Sequence, residues 1–265
     1  MSFLPPPFDI LVIVWPIAAI VLLGFWCVQW FHHNAVLADL GFCLVFGVMS
    51  LVSAIVIEGD PLRKWLLGTM GMVYAFRLAW HLLVHRIYRK NEDARYQTLR
   101  KKMSKWAQFG FFIYFQGQAV AVVIFLIPLV ILMANPYPPF GIGEILGMML
   151  WLMAIAGEAL ADYQLREFRE IPENAGKTYR DGLWRYSRHP NYFFEMLIWC
   201  SYMVMAIGVP FGWYVLIGPV VMTGALLTVT GIPYAEAQAL ATRGEDYRAY
   251  QRTTSVFVPW FPKKR

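Results

Sequence analysis

Long apolar stretches, nearly free of charged residues, alternate with polar connections along this chain. Each stretch has the length of about twenty residues that an α-helix needs to cross a hydrocarbon core roughly 30 Å thick. Seven spans are predicted, at residues 10–30, 36–57, 65–85, 109–133, 143–162, 192–208 and 212–231. The pattern therefore predicts an all-α integral membrane protein, a bundle of seven transmembrane helices in which residues 1–265 form a single membrane domain.

The composition favours the same class. Hydrophobic residues make up 58% of the chain and charged residues 15%, against about 45–50% and about 25% in soluble proteins. A soluble all-α protein with a very apolar core is the weaker alternative. The first span follows an uncharged start and has neither a basic region nor a small-residue cleavage site, so it is predicted to be a span and not a cleaved signal peptide.

Lysine and arginine are concentrated in three polar segments, with eight in 86–105, six in 166–188 and six in 243–265. With seven spans, these segments all fall on one side of the membrane. The positive-inside rule makes that side cytoplasmic and predicts an outside N-terminus and a cytoplasmic C-terminus. The net charge of +6 is thus a topology signal that requires no nucleic-acid partner. A basic face of this kind could bind anionic lipid headgroups or an anionic cofactor.

Polar residues inside the spans are few and recur at steps of three and four, which places them on one face of each helix. They are Tyr74, Arg77, His81 and His85 in the third span, Glu158, Asp162, Arg166 and Arg169 in and after the fifth, Asn191 and Glu195 at the sixth, and Glu58 at the end of the second. Ionisable groups within a bilayer are costly and mark functional sites. The stripes predict a shared polar cavity that opens toward the basic side. The alternatives are a water-exposed Glu58 and an Arg77 that only fixes packing.

Metal binding is not predicted. His81 and His85 have the spacing of a ligand pair, but membrane di-iron oxygenases use many clustered histidines and this chain has five in all. The three cysteines, Cys27, Cys43 and Cys200, lie singly in apolar spans, and we interpret them as small hydrophobic residues.

Two basic segments interleave arginine with aromatic residues: HRIYRKNEDARYQTLRKK (85–102) and DYQLREFREIPENAGKTYRDGLWRYSRHPNY (162–192). A guanidinium offers a bidentate fork to phosphate, and aromatic faces suit the rings of a nucleotide. The chain contains no GxGxxG sequence and therefore no Rossmann signature. The pattern predicts a large anionic nucleotide bound among helices and loops, together with a hydrophobic co-substrate.

The segment DGLWRYSRHPNYFFE (181–195), with ADYQLREFR (161–169) and NEDARY (91–96), resembles the steroid 5α-reductase family, especially its bacterial, DUF1295-like members. The resemblance runs from Glu58 to the C-terminal EDYRAYQRTTSVFVPWF (245–261). A related SRHPNY…E signature occurs in sterol C14- and C7-reductases and, more loosely, in isoprenylcysteine and phospholipid methyltransferases. NEDARY and the polar set of the fifth helix favour the reductase branch.

The resemblance implies NADPH-dependent reduction of the 4,5 double bond of 3-oxo-4-ene steroids, with the cofactor in the C-terminal part, about 86–265. The residues that it implies for cofactor binding are Arg95, Asp162, Arg166, Arg169, Tyr179, Arg180, Arg188, His189, Asn191, Tyr192, Glu195 and Glu236. It also implies a catalytic pair, Glu58 from the second helix and Tyr74 from the third, that binds the substrate carbonyl oxygen in the manner of an oxyanion hole. Recognition of the 2′-phosphate is expected of Arg169, Arg180 or Arg95.

The expected setting is a bacterial inner membrane, with the cofactor site facing the cytoplasm. We expect a multi-pass monomer whose partners are the bilayer and a steroid or another membrane-soluble enone. The strongest alternative function is an S-adenosylmethionine-dependent membrane methyltransferase, which needs fewer arginines because its cofactor has no phosphate. A transporter or lipid-binding protein is disfavoured because inverted repeats and broken helices are absent from the sequence pattern.

Overall fold

A computed structural model describes residues 7–84, 92, 94–138, 141–229 and 231–263. These residues form α-helices joined by short 3₁₀ and π segments, and their single β-bridge pairs Ser187 with Ser255. The α-helices of this described part are α1 (Asp9–His32), α2 (Leu37–Val56), α3 (Pro61–Leu82), α4 (Ala94–Met103), α5 (Ala107–Met133), α6 (Ile142–Glu170), α7 (Pro190–Met205), α8 (Ile217–Gly224) and α9 (Ile232–Thr253). The predicted all-α class is confirmed for the described residues.

Several helices are long and apolar enough to cross a membrane. They lie in five segments, Asp9–His32, Leu37–Val56, Tyr96–Met133, Ile142–Glu170 and Gly212–Thr253. The chain is therefore a membrane protein with transmembrane helices. Of the other two predicted spans, α3 contains Arg63, Lys64 and Arg77, which lower its apolarity. Helix α7 has 16 residues, fewer than the roughly 20 of a typical span. The count of seven spans and the orientation of the termini stay predictions.

The chain forms two compact units. Unit 1 comprises Met1–Gly141 and Ala206–Ile217, and unit 2 comprises Ile142–Met205 and Gly218–Arg265. Within unit 1, α2 packs against α3 and α5, and α1 packs against α5. Within unit 2, α6 and α7 form the most extensive helix pair.

In unit 1, α3 begins at a strong local start signal. The Asp60 side chain accepts a hydrogen bond from the Arg63 backbone N–H at 3.0 Å, and Pro61 occupies the first helical position, where its missing N–H costs nothing. The Arg63 guanidinium is buried and donates to the carbonyl oxygens of Asn135 at 2.7 Å and Tyr137 at 2.8 Å. Arg63 thereby supplies hydrogen-bond donors to the backbone that follows α5.

In unit 2, glycines on α6 allow α7 to approach closely. A Cβ atom on Gly147 would lie 2.7 Å from the Ser201 carbonyl oxygen, and a Cβ on Gly157 would overlap the Phe194 ring. Real Cβ atoms essentially never make such close contacts, so a larger residue at either position would force a neighbour to shift. Because a residue early in α6 meets a residue late in α7, the two helices are antiparallel.

The end of α9 and the segment after it pack on the loop that precedes α7. The Tyr250 hydroxyl donates to the Ser187 carbonyl oxygen at 3.1 Å. The Arg188 N–H donates to the Ser255 carbonyl at 2.9 Å, and the Ser187 hydroxyl donates to the Phe257 carbonyl at 2.7 Å. The buried polar groups of this loop are thus satisfied by residues from the C-terminal part of unit 2.

Candidate functional site

The polar stripes of α6 and α7 meet at the interface of these two helices. Asn191 Nδ2 on α7 donates to Asp162 Oδ1 on α6 at 3.1 Å. Glu158 lies four residues before Asp162 and Glu195 four residues after Asn191, so the two glutamates follow one turn further along the antiparallel pair. Both are buried, with 6% and 8% of their surface exposed. The interface therefore holds two consecutive levels of polar side chains in an apolar surrounding.

Asn191 has unused hydrogen-bonding capacity at this interface. Its Oδ1 atom is buried and has no partner among the described residues. On the next turn, Trp199 Nε1 donates to Glu195 Oε1 at 3.3 Å. A buried acceptor without a donor is costly, so Asn191 Oδ1 is a point at which a ligand N–H or O–H would be favourable.

Arg188 and His189, in the loop before α7, contact a carboxylate on α9. Arg188 Nε donates to Glu236 Oε1 at 2.6 Å, and His189 Nε2 lies 3.3 Å from the same oxygen. The Arg188 and His189 side chains are 11% and 6% exposed. The structure therefore brings three residues of the predicted cofactor set into one contact group.

Most of the Arg188 guanidinium is already engaged. Nε binds Glu236, and Nη1 donates to the carbonyl oxygens of Gln251 at 2.9 Å and Thr254 at 3.1 Å. Within the described residues, no hydrogen bond reaches Nη2. Arg188 can therefore offer an anion one nitrogen, and not the bidentate fork that arginine usually presents to phosphate.

Arg180 is also bound within unit 2. Its Nη2 donates to the Asp246 backbone carbonyl at 2.7 Å and to the Asp246 carboxylate, while its Nε is buried without a partner in the described part of the chain. The neighbouring Tyr179 ring lies 5.0 Å from the Phe168 ring. Burial, and secondarily the charge of Asp181, raise the pKa of Tyr179, so its hydroxyl stays protonated at neutral pH.

The remaining predicted residues of unit 2 lie around these groups. The Arg166 guanidinium lies over the Tyr163 ring at 5.1 Å, and Arg169 is exposed on the last turn of α6. The Tyr192 and His189 rings stack in parallel at 5.4 Å. Arg166 and Arg169 thus add two cations at the end of α6, on the same helix face as Asp162.

The prediction that Glu58 lies on the second helix is wrong. Helix α2 ends at Val56, and Ile57 already has an extended backbone. Glu58 is exposed in the short connection to α3. The apolar pattern continues through Ile57, whereas the helix stops earlier because Gly59 and the start of α3 follow immediately.

Tyr74, by contrast, lies inside α3 and is buried. It is 2% exposed and its ring meets the Phe46 ring edge-on at 5.9 Å. Lys64, in the first turn of α3, donates to the Ile57 carbonyl at 2.7 Å, which holds the backbone next to Glu58 near the start of α3. Tyr74 lies ten residues beyond Lys64, or about 15 Å along the helix axis. Glu58 is thus exposed outside α2 and Tyr74 is buried within α3, and their joint action on one substrate atom stays a prediction.

The NEDARY motif of unit 1 is partly described. The Arg95 side chain and the residues 85–91 and 93 lie outside the described part, so the Arg95 and His85 predictions are untested. Tyr96 donates to Asp39 on α2 at 2.8 Å, and Glu92 pairs with Arg100 at 2.8 Å. Two residues of the motif thus have partners inside unit 1.

A family model of the DUF1295 type, described as "Protein of unknown function (DUF1295)", matches residues 25–254 of the chain. The chain belongs to this family. The match includes every described residue of the predicted site. DUF1295 membership supports the sequence resemblance at the level of the wider family, and the narrower steroid-reductase assignment goes beyond it.

The chain is also similar to the Uncharacterized protein C594.04c of Schizosaccharomyces pombe, with 29% identity over 160 residues. The matched segment covers 49% of this DUF1295 chain and 46% of the yeast protein. No solved structure matches the chain with significance.

The polar atoms with spare hydrogen-bonding capacity in unit 2 of this DUF1295 protein are of the types that bind a nucleotide cofactor. Arg188 Nη2 and Arg180 Nε are donors suited to phosphate oxygens, and Asn191 Oδ1 is an acceptor suited to a carboxamide or hydroxyl. Among the described residues, no group of His, Cys, Asp and Glu is arranged for a metal ion.

Sequence reasoning missed Asp39, Asp246 and Gln251. Asp39 accepts hydrogen bonds from Tyr96 and also from Tyr114 at 3.1 Å. It lies within the predicted second span, so an ionisable residue in an apolar segment was an available signal. Asp246 and Gln251 lie in a polar helix where carboxylates and amides are common, and no local pattern marks them.

Proposed function

We propose that this chain is a membrane reductase that uses NADPH to reduce the 4,5 double bond of a 3-oxo-4-ene steroid or of another membrane-soluble enone. The observation that carries the proposal is the α6–α7 polar interface, where the Asp162–Asn191 hydrogen bond leaves Asn191 Oδ1 as a buried acceptor. Membership of the DUF1295 family and the SRHPNY resemblance support the same reading.

Unit 2 would hold the cofactor. Asn191 Oδ1 would accept from its carboxamide, and Arg188 Nη2 would donate to phosphate. Arg166 and Arg169 would add positive charge at the end of α6, and the Phe168–Tyr179 ring pair offers an aromatic surface for the adenine. NADPH would supply the hydride.

In unit 1, Tyr74 would donate a hydrogen bond to the substrate carbonyl oxygen, where negative charge develops. A fixed donor in a dry surrounding stabilises such an oxyanion strongly. The Glu58 half of the predicted pair is not retained, because Glu58 is exposed beyond α2. The proton for the α-carbon would come from solvent.

The proposed topology follows from the charge pattern. Seven spans with an outside N-terminus place the basic segments in the cytoplasm, where NADPH is available. A bacterial inner membrane is the proposed location.

A methyltransferase that uses S-adenosylmethionine is the second candidate, and one observation favours it. Arg180 and Arg188 bind Asp246 and Glu236, so fewer guanidinium groups are left for phosphate than the sequence predicts. S-adenosylmethionine has no phosphate and would tolerate this arrangement.

One experiment separates the two. The protein would be purified in detergent, and co-purifying nucleotides identified by mass spectrometry. NADPH oxidation would be followed with testosterone or progesterone, and methyl transfer with labelled S-adenosylmethionine. We expect NADPH binding and enone-dependent oxidation. Methyl transfer without NADPH binding would overturn the reductase proposal.

A further inference from the structure

Glu236, near the start of α9, is an acceptor at which four donors meet. Two come from the loop before α7, namely Arg188 Nε at 2.6 Å and His189 Nε2 at 3.3 Å. The other two come from later turns of α9, the Tyr247 hydroxyl at 3.3 Å and Gln251 Nε2 at 2.9 Å. One carboxylate therefore joins the loop that contains the SRHPNY motif to α9.

These contacts determine which nitrogen of His189 carries a proton. An ionised carboxylate can only accept hydrogen bonds, and the Arg188 guanidinium at 2.6 Å favours the ionised form of Glu236. His189 Nε2 must therefore be protonated when it bonds to Glu236. In the neutral ring, Nδ1 is then the acceptor. A carboxylate fixes the tautomer of a catalytic-triad histidine in the same way, although there it binds Nδ1–H and leaves Nε2 as the acceptor.

The ring itself is held by packing. His189 is 5% exposed, and its ring lies parallel to the Tyr192 ring at an angle of 4°. The His189 backbone N–H donates to the Ser187 hydroxyl oxygen at 3.1 Å. Packing fixes the ring plane, and the Glu236 contact sets the tautomer.

We propose that Glu236 is a positioning residue that fixes the Nε2–H tautomer of His189 and leaves only Nη2 of Arg188 for a ligand, and that it does not itself touch the cofactor. The identity of the ligand that His189 and Arg188 bind rests on the proposed function. The positioning of these two side chains rests only on their contacts with Glu236. His189 Nδ1 is then an acceptor and Arg188 Nη2 a donor. Such a pair suits a hydroxyl beside a phosphate, as in a nucleotide.

The test is the protonation of the His189 ring nitrogens. The full chain would be labelled with ¹⁵N-histidine, and His189 would be assigned with the variant His189→Gln. Spectra would be recorded over a series of pH values, so that the neutral ring is observed. We expect a protonated Nε2 in the wild type. Glu236→Gln, whose amide can also donate, should shift the population toward Nδ1–H, and Glu236→Asp should retain Nε2–H.

Glu245→Gln is the matched control, because Glu245 is on the same helix and its side chain is 72% exposed. It should leave the His189 signals unchanged. An Nδ1–H tautomer in the wild type, or the same His189 signals in the wild type and in Glu236→Gln, would overturn the inference. If Glu236→Gln does not fold, the wild-type tautomer and the Glu236→Asp spectrum still decide.

Cofactor binding gives a second readout. In Glu236→Gln, an Nδ1–H tautomer of His189 would lose the hydrogen bond that Nδ1 accepts from the ligand, which should weaken NADPH binding about tenfold, with Glu236→Asp in between and Glu245→Gln at the wild-type value. Equal affinity in Glu236→Gln and the wild type would contradict the positioning role. If the wild type binds no NADPH, the proposed function is wrong. The role of Glu236 is then tested by the ring-nitrogen spectra alone.

Discussion

Asn191 on α7 and Asp162 on α6 are joined across the helix interface by a hydrogen bond of 3.1 Å, and the bond uses only the amide nitrogen of Asn191. The amide oxygen is left as a buried acceptor. This asymmetry distinguishes a residue that only fixes packing from one that can also bind a ligand.

Replacing Asn191 with alanine should weaken NADPH binding about tenfold, because the ligand loses one buried hydrogen bond. The dissociation constant would be measured by fluorescence titration in detergent. Thr242→Ala, on the surface of α9, should keep the wild-type value. Unchanged affinity in Asn191→Ala would remove Asn191 from the binding site.

Tyr74→Phe should lower turnover of a 3-oxo-4-ene steroid by about 10²–10³, the usual effect of losing one oxyanion donor. Glu58→Gln should change turnover by less than about threefold, since Glu58 is exposed in the connection before α3 whereas Tyr74 is buried within α3. Steady-state rates of NADPH oxidation check both. A large loss in Glu58→Gln would restore the catalytic pair implied by the family resemblance.

Arg63→Met should reduce the free energy of unfolding of unit 1 by about 3 kcal/mol or more, because three carbonyl oxygens, of Asn135, Tyr137 and Pro138, lose a charged donor. Lys64→Met removes one such bond, to Ile57, and should cost about a third as much. Thermal unfolding in detergent gives the comparison. Equal effects of the two variants would contradict the role of Arg63 as the main donor to this segment.

Gly147→Ala should destabilise unit 2, because the new Cβ would lie 2.7 Å from the Ser201 carbonyl oxygen and would force α6 and α7 apart. Gly117→Ala on α5 is the control. Its Cβ meets nothing within 4 Å, and replacing a helical glycine there should stabilise by about 0.5–1 kcal/mol. The melting temperatures of the two variants should move in opposite directions.

Hydropathy and helical spacing predicted most of the helices and the stripe that joins α6 to α7, whereas α4 and α9 lie outside the predicted spans. Asp162 and Asn191 could be recognised because each stripe is local in sequence. The engagement of Arg188 by Glu236 could not be predicted in the same way, since it joins residues 48 positions apart and depends on how α9 packs on the loop.

The misplacement of Glu58 has a different physical cause. A hydropathy pattern detects apolar side chains and not the backbone angles that end a helix. Ile57 is apolar but extended, so the apolar run is longer than the helix. The Asp60–Pro61 start signal of α3 indicated that boundary more directly.

The loop before α7 completes its hydrogen bonds with Ser255 and Phe257, which are added to the growing chain about seventy residues later. During synthesis, α6 and α7 are complete while this loop still lacks these partners for its buried polar groups. The hydrogen bonds of this loop can therefore be completed only after α9 and the segment that follows it have been translated. A chain that ends directly after α9 would lack Ser255 and Phe257. The loop that contains the SRHPNY motif would then lose the hydrogen bonds that it donates to these two residues.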